Sequence, residues 1–201
     1  MSFNEVLEKK KLLQAENIIG SSFKLIKVNP LCEDDAKFII NLRNREFNNF
    51  LKESSSSLKD QLDYLQKYNT RYENGEEIYF KIFDIAQQIY NGVVRITELN
   101  NIDSFGWESM VVKEDITPVV PTDVMLAIYS IGFERLRRKS CGPWEVSKDN
   151  VRVLKWHEKL GMTKIVNEDA QYFYLSVKDE SYFSQIEKYN KIGIGFANYI
   201  N

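Results

Sequence analysis

The run DITPVVPTDVMLAIYSIGFERL, Asp115 to Leu136, reads as a loop feeding a helix, and it follows a strand-like stretch, FGWESMVV, from Phe105 to Val112. A strand, a tight loop and a helix N-terminus together make an anion site. The first N–H groups of a helix have no helical partner, and the dipole favours negative charge there. Such loops are usually rich in glycine, which lets the backbone approach a phosphate; this one has no glycine and two prolines, Pro118 and Pro121. The prolines lack a donor, while Val119, Val120, Thr122, Asp123 and Val124 keep theirs. A proline also fixes the loop in one shape, which lowers the ordering cost of binding. Thr122 either caps the helix or offers its hydroxyl to a phosphate. The Asp123 carboxylate must point away from any bound anion. The plainer alternative is a helix capped by Thr122 whose loop binds nothing.

Two more side chains are of types suited to moving protons. Glu108 sits in Phe-Gly-Trp-Glu-Ser-Met, where strand alternation puts it on the face opposite Trp107 and Ser109. A carboxylate in a half-buried apolar strand holds its proton more tightly, as a general base working near neutrality requires. The alternative is an exposed residue paired with Arg95 on the neighbouring strand. His157 is the single histidine of the chain. An imidazole can give up a proton at neutral pH, or it can be a structural residue on a helix whose Val153, Leu154, Trp156 and Leu160 face the core. Cys32 and Cys141 lie far apart with no spacing partner, so they suggest neither a metal motif nor a disulfide framework. With one histidine, no zinc site is expected.

The elements that must carry these residues follow from periodicity. Residues 3–17 read as an irregular amphipathic helix. Phe23–Pro30 alternates and ends at a proline, so it is a strand. CEDDAKFIINLRNREFNNFL, from Cys32, has helical spacing, with a second short helix around Phe47, Phe50 and Leu51, and KESSSS is a polar loop. Leu58, Leu62 and Leu65 mark a further helix ending at Asn74-Gly75. EIYFKIFDIA and YNGVVRITEL read as an antiparallel hairpin, and FGWESMVV as a third strand. A helix from Thr122 to Leu136 comes next, then the short strand CGPWEVS, a helix ended by Gly161 with Asp149 or Asn150 at its start, and a last hairpin. The residues after 179 form a weakly helical tail. This order mixes a meander with a βαβ crossover. The fold class is α+β (mixed α/β), with one central sheet and helices on its faces.

The totals bound the function. With 201 residues and 43% hydrophobic content, the chain can bury a core. Its net charge of −2 argues against a protein that neutralises nucleic-acid phosphates. The basic run RLRRKS falls where a helix should end and suits its dipole. No apolar run approaches the length of a membrane span, and the charged N-terminus is unlike a signal peptide. A cytoplasmic protein that binds neither nucleic acid nor membrane is expected.

Four stretches resemble the GNAT superfamily of acyl-CoA-dependent N-acyltransferases, and within it the branch of Rim-type and nucleotide-amino-sugar N-acetyltransferases. DDAKFIINLRNRE is similar to that branch's first helix, YNGVVRITEL to its third strand and FGWESMVV to its fourth. VSKDNVRVLKWHEKLGMTKI is similar to its fifth strand and following helix. The likeness spans about Phe23 to Val177. It implies a mostly antiparallel twisted sheet with helices on both faces. The implied division is an N-terminal helical extension at 1–20, the acyltransferase domain at 21–178 and a C-terminal tail at 179–201. The loop departs from the superfamily's pattern, a basic or Gln residue before Gly-x-Gly or Gly-x-Ala.

The resemblance also implies roles. Acetyl-CoA is the co-substrate, with no metal, and a primary amine attacks the thioester directly. Glu108 is the base, and His157 stands at or near the place of a Tyr that protonates the departing thiolate. Asn150 holds the pantetheine arm, or simply caps its helix. The backbones of Met110, Val111 and Val112 pair with the pantetheine like an added strand. The loop from Val119 to Val124 cradles phosphates, and Val153 and Trp156 line the cofactor's side. Arg43, Asn44, Tyr79, Arg95 and Glu145 face the acceptor, a small molecule and among these a nucleotide-linked amino sugar. Alternatives are a protein N-terminus as acceptor, or a non-catalytic protein binding acyl-CoA or a partner chain. Either terminal segment is suited to a homodimer contact.

Overall fold

The structure is a computed structural model and describes residues 3–44 and 57–191. The expected second short helix with Phe47 and Phe50, and the polar loop after it, lie outside the described residues. Eight strands form one sheet in the order β1-β2-β3-β4-β5-β6-β8-β7. The strands are β1 Asn17–Ile19, β2 Phe23–Lys27, β3 Ile78–Asp84, β4 Ile89–Thr97, β5 Ser104–Val112, β6 Ser140–Ser147, β7 Thr163–Glu168 and β8 Tyr172–Lys178. The helices are α1 Phe3–Gln14, α2 Glu33–Arg43, α3 Leu58–Glu73, α4 Val120–Ser130, α5 Val151–Leu160 and α6 Asp179–Lys191. Every ladder is antiparallel except β5–β6, which is parallel and joined by the α4 crossover.

Strand alternation divides the core into two layers. Ile78, Phe80 and Ile82 of β3 point into one layer, while Tyr79 between them points into the other. The first layer packs under α1, α4 and α6, with Leu12, Val124 and Tyr182 buried together. The second packs under α2 and α3, through Ala36, Ile39, Leu65 and Tyr68. Helix α4 is apolar on all sides because it is enclosed: Val124 to Tyr129 are each at most 1% exposed. The sheet therefore carries helices on both faces.

Several elements depart from the sequence reading. Strand β1 pairs with β2, and three residues are too few to show alternation. Helix α4 begins at Val120, with Pro121 in its first turn, where a missing N–H costs nothing. It gives way after Ser130 to a π-helical turn, Ile131–Arg135. The C-terminal segment to Lys191 is a helix with Tyr182 and Ile186 in the core. No described helix is long and apolar enough to cross a membrane.

Candidate active site

Strands β5 and β6 pair only at Ser104–Ser140 and Phe105–Cys141. Beyond that point β6 is bent by an irregularity between Cys141 and Trp144, with Gly142 at φ +89°. A cleft of about 1340 Å³ opens between the diverging halves and runs on between α3, α5 and the loop before α4. On this side of β5, Met110 to Val112 have no strand partner. Their backbone donors and acceptors form an edge inside the sheet, a template for an extended ligand.

A β-bulge shapes the middle of β5. Arg95 pairs with Glu108 and Val93 with Val111, so β5 carries one extra residue there. Ser109 takes it up in the left-handed region, at φ +52°. This corrects the expected alternation. Ser109 shares Glu108's side of the strand, since Arg95 Nη2 donates to Glu108 Oε2 at 2.8 Å and to Ser109 Oγ at 3.1 Å. Arg95 is anchored behind by the Tyr64 hydroxyl at 2.8 Å and by Glu77 Oε2 at 3.5 Å. Glu77 in turn holds Arg71 at 3.0 Å. Tyr79 lies under the Arg95 guanidinium, 5.8 Å from ring centroid to Cζ. The Glu108 side chain is 54% exposed. The apolar burial expected of it is absent, and the pairing with Arg95 is present.

Helix α5 presents its residues through its caps. Asn150 Oδ1 accepts from Val153 N–H at 3.3 Å, and Gly161 closes the helix at φ +69°. Asn150, Val153 and Trp156 line the cleft, so Asn150 both caps and faces it. Trp156 Nε1 donates to Thr122 Oγ1 at 3.0 Å, which ties α5 to the entrance of α4. Thr122 therefore does not cap α4; its hydroxyl receives the indole.

His157 is 3% exposed among Trp107, Trp144 and Trp156, with ring centroids 6.0, 5.5 and 4.9 Å away. Nδ1 shares a hydrogen bond with Thr163 Oγ1 at 3.2 Å, and Nε2 has no partner among the described residues. Burial lowers its pKa to about 4. An imidazole that is neutral at neutral pH has no readily given proton, which favours the structural reading of His157 over the acid role. It lines the cleft as part of an aromatic wall.

The loop before α4 is held by a hub. Asp84, fully buried, accepts from the N–H groups of Ala86, Gln87 and Thr117 at 3.0, 3.1 and 3.0 Å. Asn91 Nδ2 donates to it as well, at 3.3 Å. Burial pushes this carboxyl's pKa up, but the hydrogen bonds from Thr117, Gln87 and Asn91 outweigh it and leave the pKa below its ordinary value.

The expected phosphate cradle is largely spent internally. Val120 N–H goes to Thr117 O at 3.0 Å and Asp123 N–H to Val119 O at 3.0 Å. Val120, Asp123 and Val124 are buried at 0%, 4% and 0% and do not line the cleft. The Asp123 carboxylate turns to Ser22 Oγ at 2.5 Å, away from the loop's open side. Val119 and Thr122 do line the cleft. Val111 is buried under α2 and α3.

Of the residues expected to face an acceptor, Arg43, Tyr79, Arg95 and Glu145 line the cleft, whereas Asn44 is an exposed residue that ends α2. The sequence reading missed Tyr64, Lys113, Trp144 and Arg152, which also line it. Trp144 carried a usable signal, an aromatic following a glycine–proline break. The other three read as ordinary helix or loop surface. Among the described residues, no group of His, Cys, Asp and Glu could hold a metal ion.

The chain matches no protein-family model and no curated protein. Solved structures do match. The apo form of FdhC, a nucleotide-linked sugar GNAT, has a TM-score of 0.74 and 30% identity, covering 89% of this chain and 98% of that one. The Campylobacter jejuni N-acetyltransferase PseH in complex with acetyl coenzyme A has a TM-score of 0.58 and 20% identity, covering 78% and 98%. A GCN5-related N-acetyltransferase from Brucella melitensis has a TM-score of 0.67 and 13% identity, covering 89% and 85%. The last two likenesses speak to fold alone.

Proposed function

Because the chain belongs to the GNAT superfamily and is an acyl-CoA-dependent N-acyltransferase, we propose that it moves an acetyl group from acetyl-CoA to the primary amine of a sugar carried on a nucleotide. The observation that carries the donor half is the unladdered edge at Met110–Val112 inside a cleft of about 1340 Å³. An extended pantetheine fits such an edge through backbone hydrogen bonds. The donor supplies an activated thioester carbonyl. The chain's own residues bind it, orient the amine and receive the amine's proton.

Glu108 is the group proposed to take that proton. It faces the cleft, and Arg95 fixes its direction. Its Oε1 makes no hydrogen bond among the described residues, which leaves an acceptor for an ammonium or a bridging water. The aromatic wall of Trp107, Trp144 and His157 keeps water from one side of the reacting atoms. Arg43, Tyr64 and Glu145, which line the cleft, are proposed to receive the acceptor. The likeness to a nucleotide-linked sugar GNAT, at 30% identity, favours the sugar acceptor over a protein N-terminus.

The test is thiol release from acetyl-CoA with a panel of amines: nucleotide-linked amino sugars, free amino sugars, polyamines and peptides with free N-termini. Turnover with a nucleotide-linked amino sugar at least tenfold above the other classes is expected. Preference for a peptide would overturn the acceptor. Silence with every amine, together with no binding of acetyl-CoA, would overturn the activity.

A further inference from the structure

The α4 entrance is poorly made for an anion. Thr117 N–H is given to Asp84, Val120 N–H to Thr117 O and Asp123 N–H to Val119 O. Pro118 and Pro121 have none to give. Of the entrance amides, this leaves those of Val119 and Thr122. The Asp123 carboxylate, 4% exposed, is satisfied only by hydroxyls: Ser22 at 2.5 Å and Ser21 at 3.4 Å, with Oδ1 unpartnered. A negative charge already sits at the helix's positive end, where it opposes a phosphate.

Two cations share the cleft with that entrance. Lys113 follows directly on β5, at the end of the unladdered edge, and Arg152 lies in the first turn of α5, two residues after its N-cap. Both line the cleft together with Pro118, Val119 and Thr122. Among the described residues, neither side chain makes an ion pair or a hydrogen bond. Other cations of the cleft differ. Arg95 is held by Glu77 and Glu108. Lys159 is near the far end of α5, seven residues and so about 10 Å along the axis from Arg152.

We propose that the Lys113 and Arg152 side chains, rather than the amides of the α4 entrance, hold the phosphates of the acyl-CoA. The inference rests on the acyltransferase reading above and assigns the phosphate end of that same cleft. An arginine fork matches phosphate geometry, and a lysine serves as a point charge beside it. The side chains reach out to the anion, which removes the need for glycines that let the backbone come close. The glycine-free loop is then a spacer of fixed shape, pinned by Asp84 on one side and by the Thr122–Trp156 bond on the other.

The test is calorimetric affinity for acetyl-CoA, 3′-dephospho-acetyl-CoA and the phosphate-free analogue acetyl-pantetheine, on the full chain and on Lys113→Gln, Arg152→Gln and the double variant. Lys155→Gln, an exposed α5 residue outside the cleft, controls for lost charge. Each cleft variant is expected to lose about tenfold in acetyl-CoA affinity, equivalent to about 1.4 kcal/mol, and the double variant about a hundredfold. The control stays within twofold, and affinity for acetyl-pantetheine, which has no phosphate to lose, does not separate the cleft variants from wild type. A loss that vanishes with the dephospho ligand places the cations on the 3′-phosphate; a loss that persists places them on the pyrophosphate. Wild-type binding with undiminished affinity in both variants overturns the proposal and returns the phosphates to the amides. A wild type that binds no acetyl-CoA overturns the acyltransferase reading itself.

Discussion

Arg95 and Glu108 face each other across β4 and β5, Nη2 to Oε2 at 2.8 Å, but their exposures are unequal: 14% for Arg95 and 54% for Glu108. The arginine is held from behind by Tyr64 and Glu77, and the carboxylate reaches out into the cleft. A pair this exposed adds at most about 1 kcal/mol to stability. Its consequence is direction, because a carboxylate tied at one oxygen presents the other at a fixed place.

Glu108→Gln keeps the shape and removes the base. We expect kcat to fall by roughly 10²–10⁴-fold with thermal stability unchanged. Arg95→Met should lower kcat less and raise KM for the amine, since the carboxylate remains but loses its anchor. Steady-state kinetics on both variants decides this. An unaltered kcat in Glu108→Gln would move the base elsewhere.

His157 makes an opposite prediction. Burial holds its pKa at about 4 in the folded chain, against 6.5 when unfolded. The unfolded state therefore binds more protons between those values, and stability falls as pH drops from about 6.5 towards 4. The loss is on the order of 3 kcal/mol. His157→Gln should flatten that acid slope in denaturant titrations while leaving the neutral-pH rate within a few-fold. A rate collapse at neutral pH would restore a direct role in proton transfer.

Asp84 couples the β3–β4 turn to the loop before α4. Its folded pKa is depressed, so its contribution is present above the unfolded value of 3.8 and is lost as pH falls through the lower folded value. Asp84→Ala leaves several N–H groups without an acceptor. We expect a loss of about 1–3 kcal/mol and a weaker grip on acetyl-CoA, read by melting and by calorimetry. Normal affinity in a destabilised variant would show that the loop keeps its shape without the hub.

Gly142 sits at φ +89°, and a methyl group there would come within 2.9 Å of Leu175 O and 2.5 Å of the Trp144 ring. Gly142→Ala should cost about 1–3 kcal/mol and disturb the wall that Trp144 gives the cleft. Tryptophan fluorescence alongside melting would register both. A variant with wild-type melting and fluorescence would mean that β6 bends there without needing a glycine.

Legibility in the sequence followed the strength of local chemistry. Helix α5 could be read because Asn150 and Gly161 are cap residues by type, and the structure uses them so. The β3–β4 hairpin and the crossover through α4 were carried by alternation and by a long apolar run. Ser109 was hidden, because a left-handed serine has no compositional mark and one bulge residue reverses the side a chain faces. The choice between the two readings of His157 was not legible for a tertiary reason: its three tryptophan neighbours come from β5, β6 and α5. The phosphate loop was read by counting donors, but two of the five counted, those of Val120 and Asp123, are taken by turn bonds that only the folded backbone reveals.

Among the described residues, two residue pairs join β5 to β6, flanked by the Lys139 and Ser140 N–H groups on Asp103 O, and they form the short backbone seam between a five-stranded leaf and a three-stranded leaf. A ligand laid along Met110–Val112 lengthens that seam, so occupancy is also mechanical reinforcement. Without a ligand, the sheet is joined at this point by its shortest strand pairing. Filling the joint raises the melting temperature in step with the logarithm of donor concentration, and departure of the spent donor loosens it again. On the proposed donor position, each turnover would stiffen and then release the sheet next to Phe105 and Cys141, the last stitch before the opening.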